Sequence, residues 1–582
     1  MKKSTLSLLF LLVVLASVSL TIFFIPSSKG IEYGKVKPVK NLIVLIPDGT
    51  SLPIVSISRW MQFYNDPNQP KLNLDQYLCG TVTTFSSNAP IGDSAPTTSC
   101  YMTGYPSRTG YVSTHPVADK DNDILPMDPD RAYQPLTTIL EGMKILQQKA
   151  TGLVFTCEFP HATPADCSAH SYKRARYDWI APQMAHNDLD VVIGGGISYL
   201  SEESEAYLKE NGYSIYKNDI QRMRSDNNNK MWALYGETSM AYDLDRNPDE
   251  QPAIDEMTKI AINKLSQNPN GFFLMVEGSK VDWAAHANDP VGMVTDLLAF
   301  DKACKVALDF AQQDGETLVI IVPDHGNSGV SLGRRDCTGY DKLSMDQLFH
   351  QLSLFKLTAE GLAKKVNSVE LDELQNVFSE YAGFELSDEE LNALYNCKDY
   401  KHSPIPLDKR SSKGIEPSLY SGSLTSFMSK LITSKTCIGF TTGGHTGEEV
   451  FLAAYHPQGT LPFGNLTNVE LNHYMCEAVG LKGKLDELND QIFARHTDVF
   501  NNYSFELVFP EIEVKEGEEN PEKGIPTLIV KSKTDNSKQL TIDAFTNTVK
   551  STNGDIKLNS VIVYVDANET FYLPTSLVNY LN

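Results

Sequence analysis

The stretch NLIVLIPDGT runs from Asn41 to Thr50, and apart from its opening asparagine the first six residues are apolar. An apolar run of this length without polar alternation is typical of a parallel strand that is buried on both faces. It leads directly into Pro47-Asp48-Gly49, which places a carboxylate on a tight turn at the end of the strand. In open parallel sheets, ligands bind beyond the carboxyl ends of the strands. This stretch therefore predicts both the fold class and the edge of the sheet at which function is located.

Four further apolar runs predict strands of the same kind, at Gly152–Thr156, Asp190–Ile193, Phe272–Val276 and Thr317–Val322. Helical patterns lie between them, at Pro135–Lys149, Ala253–Ser266 and Val291–Gln312. Strands that alternate with helices indicate an α/β fold, with a large, mainly parallel sheet and helices on both faces.

The pattern places this core domain at residues 40–500. We expect two additions to it, one inserted within the domain and one after it. Residues 335–437 are more polar and predict an inserted cap region that contains helices, after which the sheet pattern resumes at Glu449–Tyr455. A small β-rich C-terminal extension is predicted over residues 501–582. Its candidate strands are Glu506–Val508, Thr527–Val530, Gln539–Ile542 and Ser560–Val565.

Composition narrows the functional class. The 582 residues include 73 acidic and 50 basic side chains, for a net charge of −23, and 41% are hydrophobic. This composition is typical of a globular protein and excludes collagen-like, coiled-coil and generally disordered chains. No nucleic-acid-binding surface is expected, because such a surface requires a positive footprint. None of the nine cysteines forms a CxxC pair, so a cysteine-based zinc site is not indicated, whereas Cys157 and Cys167 are close enough in sequence to form a local disulfide.

The N-terminus has the pattern of an export segment. Met1-Lys2-Lys3 is followed by an almost wholly apolar run at Leu6–Ile25 and a polar, small-residue stretch at Ser27-Ser28-Lys29-Gly30. The apolar run is also long enough to span a bilayer. We therefore expect residues 1–28 to be either a cleaved signal peptide or a membrane anchor. Both alternatives predict an exported protein, which is periplasmic, secreted or anchored to the outer face of the membrane.

Other predicted strands also lead into carboxylates or histidines: Glu277, Asp282 and His286 after the fourth run, Asp324-His325 after the fifth, and His161-Ala162-Thr163 a few residues after the second. These residues should converge at one edge of the sheet. Carboxylates crowded together repel one another, and divalent cations relieve that repulsion. Mixed sets of histidine and aspartate suit zinc, and carboxylates with a hydroxyl suit magnesium.

A candidate nucleophile lies in Ile91–Ser99, where Ser94 is placed at a predicted helix start. Aspartate and serine are favoured as helix caps, so a purely structural role is one interpretation. A helix N-terminus also attracts phosphate and stabilises an alkoxide, and both roles are compatible.

Taken together, the motifs resemble the alkaline phosphatase family in their order and combination, from Asn41 to about His445. The matching segments are Pro47-Asp48-Gly49, Asp93-Ser94-Ala95, His161–Ala165 with Arg174, Val276-Glu277-Gly278 through Asp282 to His286, Asp324-His325, and Gly444–Gly447. The resemblance implies a metal-dependent hydrolase of phosphate monoesters, with a catalytic domain at residues 40–500. It also implies a homodimer.

The resemblance also implies roles for individual residues. Ser94 would be the nucleophile that becomes phosphorylated, and Arg174 would clamp two phosphate oxygens. Two zinc ions and a third ion of the magnesium type would be held by the remaining motif residues: Asp282, His286 and His445 for the first zinc; Asp48, Asp324 and His325 for the second; and Asp48, Thr163 and Glu277 for the third ion.

Two positions differ among members of that family. His161 stands where some members have an aspartate beside the third ion, and Trp283 stands where some have a lysine that contacts phosphate through water. The identity of the third ion is therefore open. On charge alone Arg176 rivals Arg174, although the match to His161–Ala165 favours Arg174.

Other functions remain as alternatives. A phosphodiesterase or a sulfatase of the same superfamily is the nearest, but Ser94–Thr98 lacks the arginine of a sulfatase motif. A phosphoglycerate mutase would also use serine and two metals, and the export segment argues against it. A secreted metal-binding protein with a vestigial core belongs to a different class, and the full ligand set disfavours it.

Overall fold

The computed structural model describes residues 35–419, 422–511, 523–533 and 537–581. The predicted signal peptide or anchor at residues 1–28 lies outside these ranges. Within them, no helix combines the length and the apolar character needed to cross a membrane.

A sheet of ten strands forms the centre of the molecule. In chain order the strands are β1 (Asn41–Ile46), β2 (Leu78–Thr83), β3 (Ala150–Glu158), β4 (Val191–Gly195), β5 (Ser214–Lys217), β6 (Met231–Tyr235), β7 (Phe272–Glu277), β8 (Thr317–Ile321), β9 (Val450–Tyr455) and β10 (Gly464–Thr467). Their order across the sheet is β10-β2-β9-β8-β1-β7-β3-β4-β6-β5. Among these ten strands, only β9 runs antiparallel to its neighbours. The predicted α/β fold with a mainly parallel sheet is confirmed.

Helices cover both faces of this sheet. In the core domain they are α1 (Leu52–Asn65), α2 (Ser94–Thr103), α3 (Ile139–Gln147), α4 (Ala162–Ala165), α5 (Tyr177–His186), α6 (Glu202–Glu210), α7 (Ile220–Ser225), α8 (Ile254–Leu265), α9 (Lys280–His286) and α10 (Pro290–Asp314). Along β1, Leu42, Val44 and Ile46 belong to one hydrophobic cluster, and Ile43 and Leu45 belong to the other. This double burial explains why the strand lacks polar alternation.

In the described part of the predicted cap region the α-helices are α11 (Met345–Leu354), α12 (Ala359–Val366), α13 (Leu374–Ala382), α14 (Asp388–Tyr395) and α15 (Leu424–Ser434). Its buried residues, such as Phe378 and Phe427, belong to the same hydrophobic cluster as Ile43 of β1. The inserted segment therefore packs onto one face of the core. Its boundaries, 335 and 437, stay predictions, although a disulfide between Cys337 and Cys437 joins its two ends.

The predicted local disulfide between Cys157 and Cys167 is wrong, because both thiols are free. Cys157 lies near the end of β3, where its Sγ donates to Glu277 Oε2 at 3.3 Å. Cys167 Sγ instead contacts the Thr163 carbonyl oxygen at 3.7 Å. The two thiols therefore contact different residues, and proximity in sequence does not predict these contacts.

The chain continues through α16 (Asn468–Ala478), α17 (Lys484–Ile492) and α18 (His496–Val499) into small antiparallel sheets. The strands of this region are β11 (Ser504–Val508), β12 (Thr527–Lys531), β13 (Gln539–Ile542), β14 (Thr548–Ser551), β15 (Ile556–Lys557), β16 (Val563–Val565) and β17 (Thr570–Leu573). Their buried residues pack with Trp179 of α5 and with Leu488 of α17. This agrees with the predicted β-rich character of the C-terminal region.

We expect the Cys337–Cys437 disulfide to stabilise the inserted region, because it closes a sequence separation of 100 residues. Closing a loop of this length restricts the unfolded chain, and the double variant Cys337→Ser/Cys437→Ser should lose about 2–4 kcal/mol of unfolding free energy. Urea unfolding followed by circular dichroism measures the difference. Reductant should lower the stability of the unmodified protein to that of the variant and leave the variant unchanged. Equal stabilities of the two proteins without reductant would contradict the prediction.

Candidate metal centre and nucleophile

Four neighbouring strands bring the predicted site residues to one edge of the sheet. β8, β1, β7 and β3 are adjacent and parallel. β1 leads into Asp48, β7 ends on Glu277, β8 leads into Asp324-His325, and β3 leads to Thr163 in α4. Residues far apart in sequence therefore converge because the sheet aligns the carboxyl ends of their strands.

Asp48, Asp324 and His325 form the first donor group. One ligand atom from each lies within 4.8 Å of the others, and all three side chains are fully buried. His325 Nε2 is 3.5 Å from Asp48 Oδ1 and 3.4 Å from Asp324 Oδ2. Both Asp48 carboxylate oxygens and Asp324 Oδ2 have no hydrogen-bond partner. Burying carboxylates without hydrogen-bond donors costs free energy, and a bound cation would offset that cost.

The turn after β1 requires a glycine to hold this group together. Gly49 has a φ of +61°, and a Cβ at that position would lie 2.2 Å from Asp282 Oδ1. Its backbone N–H donates to Asp324 Oδ1 at 3.0 Å. The glycine therefore allows the turn to approach two carboxylates that belong to different strand ends.

Asp282, His286 and His445 form a second donor group beside the first. His286 Nε2 is 3.4 Å from Asp282 Oδ2 and 3.1 Å from His445 Nε2, and His445 Nε2 is 4.0 Å from Asp282 Oδ1. The Nδ1 atoms of the two histidines face the carbonyl oxygens of Gly443 and Gly92, each at 2.8 Å. Each Nδ1 therefore donates a proton, and the two Nε2 lone pairs point toward Asp282.

The two groups are contiguous. Asp282, His325 and His445 also offer ligand atoms within 4.8 Å of one another, and the His325 and His445 rings stack with centroids 3.7 Å apart. Burial, together with the neighbouring His325, lowers the pKa of His445. A neutral imidazole is the form that binds metal ions.

A third predicted donor group contains Glu277 and Thr163. Glu277 Oε1 and Thr163 Oγ1 are buried and have no hydrogen-bond partners, and both residues are fully inaccessible. Burial raises the pKa of Glu277 to about 8. Burial and the nearby carboxylates of Asp324, Asp282 and Glu277 raise the pKa of Asp48 as well. Burial and the mutual repulsion of these carboxylates therefore favour their protonated forms in the chain alone.

Ser94 begins α2 and lies next to the first donor group. Its Oγ is 3.2 Å from His325 Nε2. Arg174 contacts Asp93, the residue before Ser94, and Arg174 Nη2 is 3.1 Å from His161 Nε2. A cleft of about 460 Å³ brings this set together, and it is lined by Asp93, Ser94, His161, Arg174, Asp282, Trp283, His286 and His445.

The structure separates the two candidate arginines. Arg176 forms an ion pair with Asp178 at 2.7 Å and lies over the Trp179 ring, and it does not line the cleft. Trp283 does line the cleft, and Lys280 Nζ lies 3.7 Å from its ring centroid. A larger cavity, of about 650 Å³, lies between α2 and α16–α17 and contains none of these donor residues.

Sequence reasoning missed two residues of the site. Asn327 Nδ2 donates to Asp282 Oδ1 at 2.7 Å and so orients that carboxylate, and an asparagine in a short strand gives no sequence signal. Cys157 contacts Glu277, and its place near the end of β3, four residues before His161, was a signal that could have been used.

The donor atoms fit divalent cations. The first two groups combine carboxylate oxygens with imidazole nitrogens, which suits zinc, and the oxygens around Glu277 suit a harder cation. The partnerless oxygens of Asp48, Thr163, Glu277 and Asp324 are the strongest sign of this fit. Such atoms are rare in ordinary protein interiors.

Known sequences agree with this architecture. The family model for alkaline phosphatase matches residues 39–481. Alkaline phosphatase 4 of Bacillus subtilis (strain 168) is 32% identical over 443 residues, which cover 74% of this chain and 86% of that protein. The repressible alkaline phosphatase of Saccharomyces cerevisiae is 28% identical over 526 residues, which cover 82% of this chain and 87% of that protein.

Solved structures share the fold. The alkaline phosphatase of Thermus thermophilus matches with a TM-score of 0.64 at 22% identity, covering 78% of this chain and 95% of that one. The cold-active enzyme of a Shewanella species matches with a TM-score of 0.63 at 24% identity, covering 75% of this chain and 99% of that one. With a family model that spans most of its length, the chain belongs to the alkaline phosphatase family of phosphate-ester hydrolases.

Proposed function

We propose that this chain hydrolyses small phosphate monoesters through a phosphoserine formed at Ser94. The observation that carries the proposal is the position of Ser94 Oγ, 3.2 Å from His325 Nε2, at a helix start and in a cleft that also contains Arg174. A serine hydroxyl is a weak nucleophile until its alkoxide is stabilised. The neighbouring donor group is placed where a bound cation would do this.

Three cation sites follow from the donor groups. Asp48, Asp324 and His325 would hold one zinc next to Ser94, and Asp282, His286 and His445 would hold a second. The carboxylate of Asp48, with Thr163 and Glu277, would hold a third ion of the magnesium type. When bound, the ions would stabilise negative charge on the entering and leaving oxygens of the displacement.

The protein positions the phosphate with its own groups. The first turn of α2 presents backbone N–H groups at Ser94 and Ala95, because Pro96 has none and the N–H of Thr97 is bonded to the Asp93 carbonyl oxygen. A helix N-terminus favours an anion. Arg174 supplies a planar pair of donors that matches two phosphate oxygens, and its contact with Asp93 holds the guanidinium at the cleft.

Two expectations about context stay predictions. The family resemblance implies a homodimer, and the N-terminal pattern implies export with or without a membrane anchor. A phosphodiesterase or sulfatase activity, and a vestigial core, remain the alternatives that the first experiment below distinguishes.

The protein should hydrolyse an aryl phosphate monoester with an optimum above neutral pH, and a chelator should abolish the activity. In Ser94→Ala, kcat should fall by at least about 10³-fold, because no other hydroxyl takes the place of the nucleophile. Labelled substrate should mark the unmodified protein on serine and leave the variant unmarked. Faster turnover of a diester or a sulfate ester than of the monoester would contradict the proposal.

Arg174→Ala should lower kcat/KM for the same substrate by about 10²-fold, because two charge-assisted hydrogen bonds to phosphate are lost. The matched control is Arg176→Ala. It removes an equal charge two residues along the chain, and the Arg176 side chain lies outside the cleft. That variant should stay within about twofold of the unmodified protein. Equal effects of the two substitutions would show that only the local positive charge matters.

The contribution of Glu277 to the stability of the metal-free protein should fall as pH rises. Burial raises the pKa of Glu277 from 4.5 to about 8, so the folded chain keeps a proton there that the unfolded chain releases. The stabilisation is complete below the unfolded value and is lost as pH rises through the folded value. In a chelator, the unfolding free energy of the unmodified protein minus that of Glu277→Gln should therefore be lower at about pH 9 than at about pH 5, by a few kcal/mol at most.

Glu277→Gln should flatten this dependence, whereas Glu203→Gln, at an exposed position of α6, should leave it unchanged. Zinc and magnesium together should remove the loss, because cations then compensate the carboxylates. A difference from Glu277→Gln that rises over this range would contradict the prediction.

A further inference from the structure

A sulfur atom lies beside the third donor group. Cys157, His161 and Glu277 offer one ligand atom each within 4.8 Å of one another. Cys157 is fully buried, and its Sγ is 3.3 Å from Glu277 Oε2. Glu277 therefore belongs to two donor sets. One is the oxygen set proposed above, with Asp48 and Thr163, and the other contains sulfur and nitrogen.

A simple buried hydrogen bond does not satisfy this cluster. The Cys157 thiol donates to Oε2, which leaves Oε1 of the same carboxylate without a partner. His161 Nδ1 is also buried and without a partner. Two unsatisfied polar atoms on residues that neighbour a buried thiol are expected when an additional charged group completes the site.

The chemistry of the donors selects the ion. Magnesium prefers a shell of oxygen atoms and binds thiolates poorly, whereas zinc is bound by thiolate, imidazole and carboxylate alike. We propose that in this chain the ion beside Glu277 is zinc, held by Cys157, His161 and Glu277, so that the third site selects zinc over magnesium. The proposal replaces the magnesium-type ion of the proposed function at this position, and it rests on that function only for the presence of an ion at Glu277.

Binding changes the protonation of two ligands. The Cys157 thiol would lose its proton to solvent and bind as a thiolate. His161 Nε2 faces a guanidinium nitrogen of Arg174, which can only donate, so without an ion the ring proton belongs on Nδ1. Use of Nδ1 as a ligand places that proton on Nε2. Arg174 would then keep only its contact with Asp93.

Cobalt substitution tests the ligand directly. Metal-free protein reconstituted with Co²⁺ should show a near-ultraviolet sulfur-to-cobalt charge-transfer band, and Cys157→Ser should lack it. The matched control is Cys167→Ser, which changes another fully buried free thiol and should keep the band. Absence of the band in the unmodified protein, or its loss only in Cys167→Ser, overturns the proposal.

Metal analysis gives a second readout. After dialysis against equal concentrations of zinc and magnesium, the unmodified protein should retain one equivalent of zinc more than Cys157→Ser, which should bind magnesium instead. Visible cobalt bands from the other two sites should persist in Cys157→Ser, which shows that the variant is folded. Loss of those bands in the unmodified protein would count against the proposed function, whereas the charge-transfer band and the zinc count decide this proposal.

Discussion

Electrostatic repulsion among four carboxylates is the constraint on which the site depends. Asp48, Glu277, Asp282 and Asp324 meet at one buried edge of the sheet, and several of their oxygens have no donor. In a medium of low dielectric, such a cluster must either take up protons or bind cations. The raised pKa values of Asp48 and Glu277 show the first outcome in the chain alone. Rigid parallel strands prevent the third outcome, in which the carboxylates move apart.

Much of this arrangement could be predicted because it depends on local pattern and one topological rule. The apolar run at Asn41–Ile46 coincides with β1, and the carboxyl-end rule placed Asp48, Glu277 and Asp324 at one edge. Helical spacing likewise placed Asp282 and His286 on one face of α9. Pattern was sufficient here because each carboxylate or histidine follows its own element within a few residues.

The rest depends on packing between distant segments. The Cys337–Cys437 disulfide forms because the inserted helices fold back onto the core, and no spacing rule indicates a separation of 100 residues. Charge alone left Arg174 and Arg176 equivalent, since only the tertiary structure shows which one faces the cleft. Sequence proximity suggests Cys167 as the disulfide partner of Cys157, whereas the actual neighbour of Cys157 is Glu277, across the β3–β7 strand pair.

The same repulsion bears on how a phosphate could enter the cleft. Arg174 is the one arginine among the residues that line it, and its contact with Asp93 already balances part of its charge. A phosphate dianion would otherwise approach Asp282 with Asp48 and Asp324 close behind it, and like charges at such distances oppose binding strongly. Cations on the donor groups reverse the sign of this field. Phosphate affinity and cation affinity are therefore linked, so each ligand must increase the affinity of the cleft for the other.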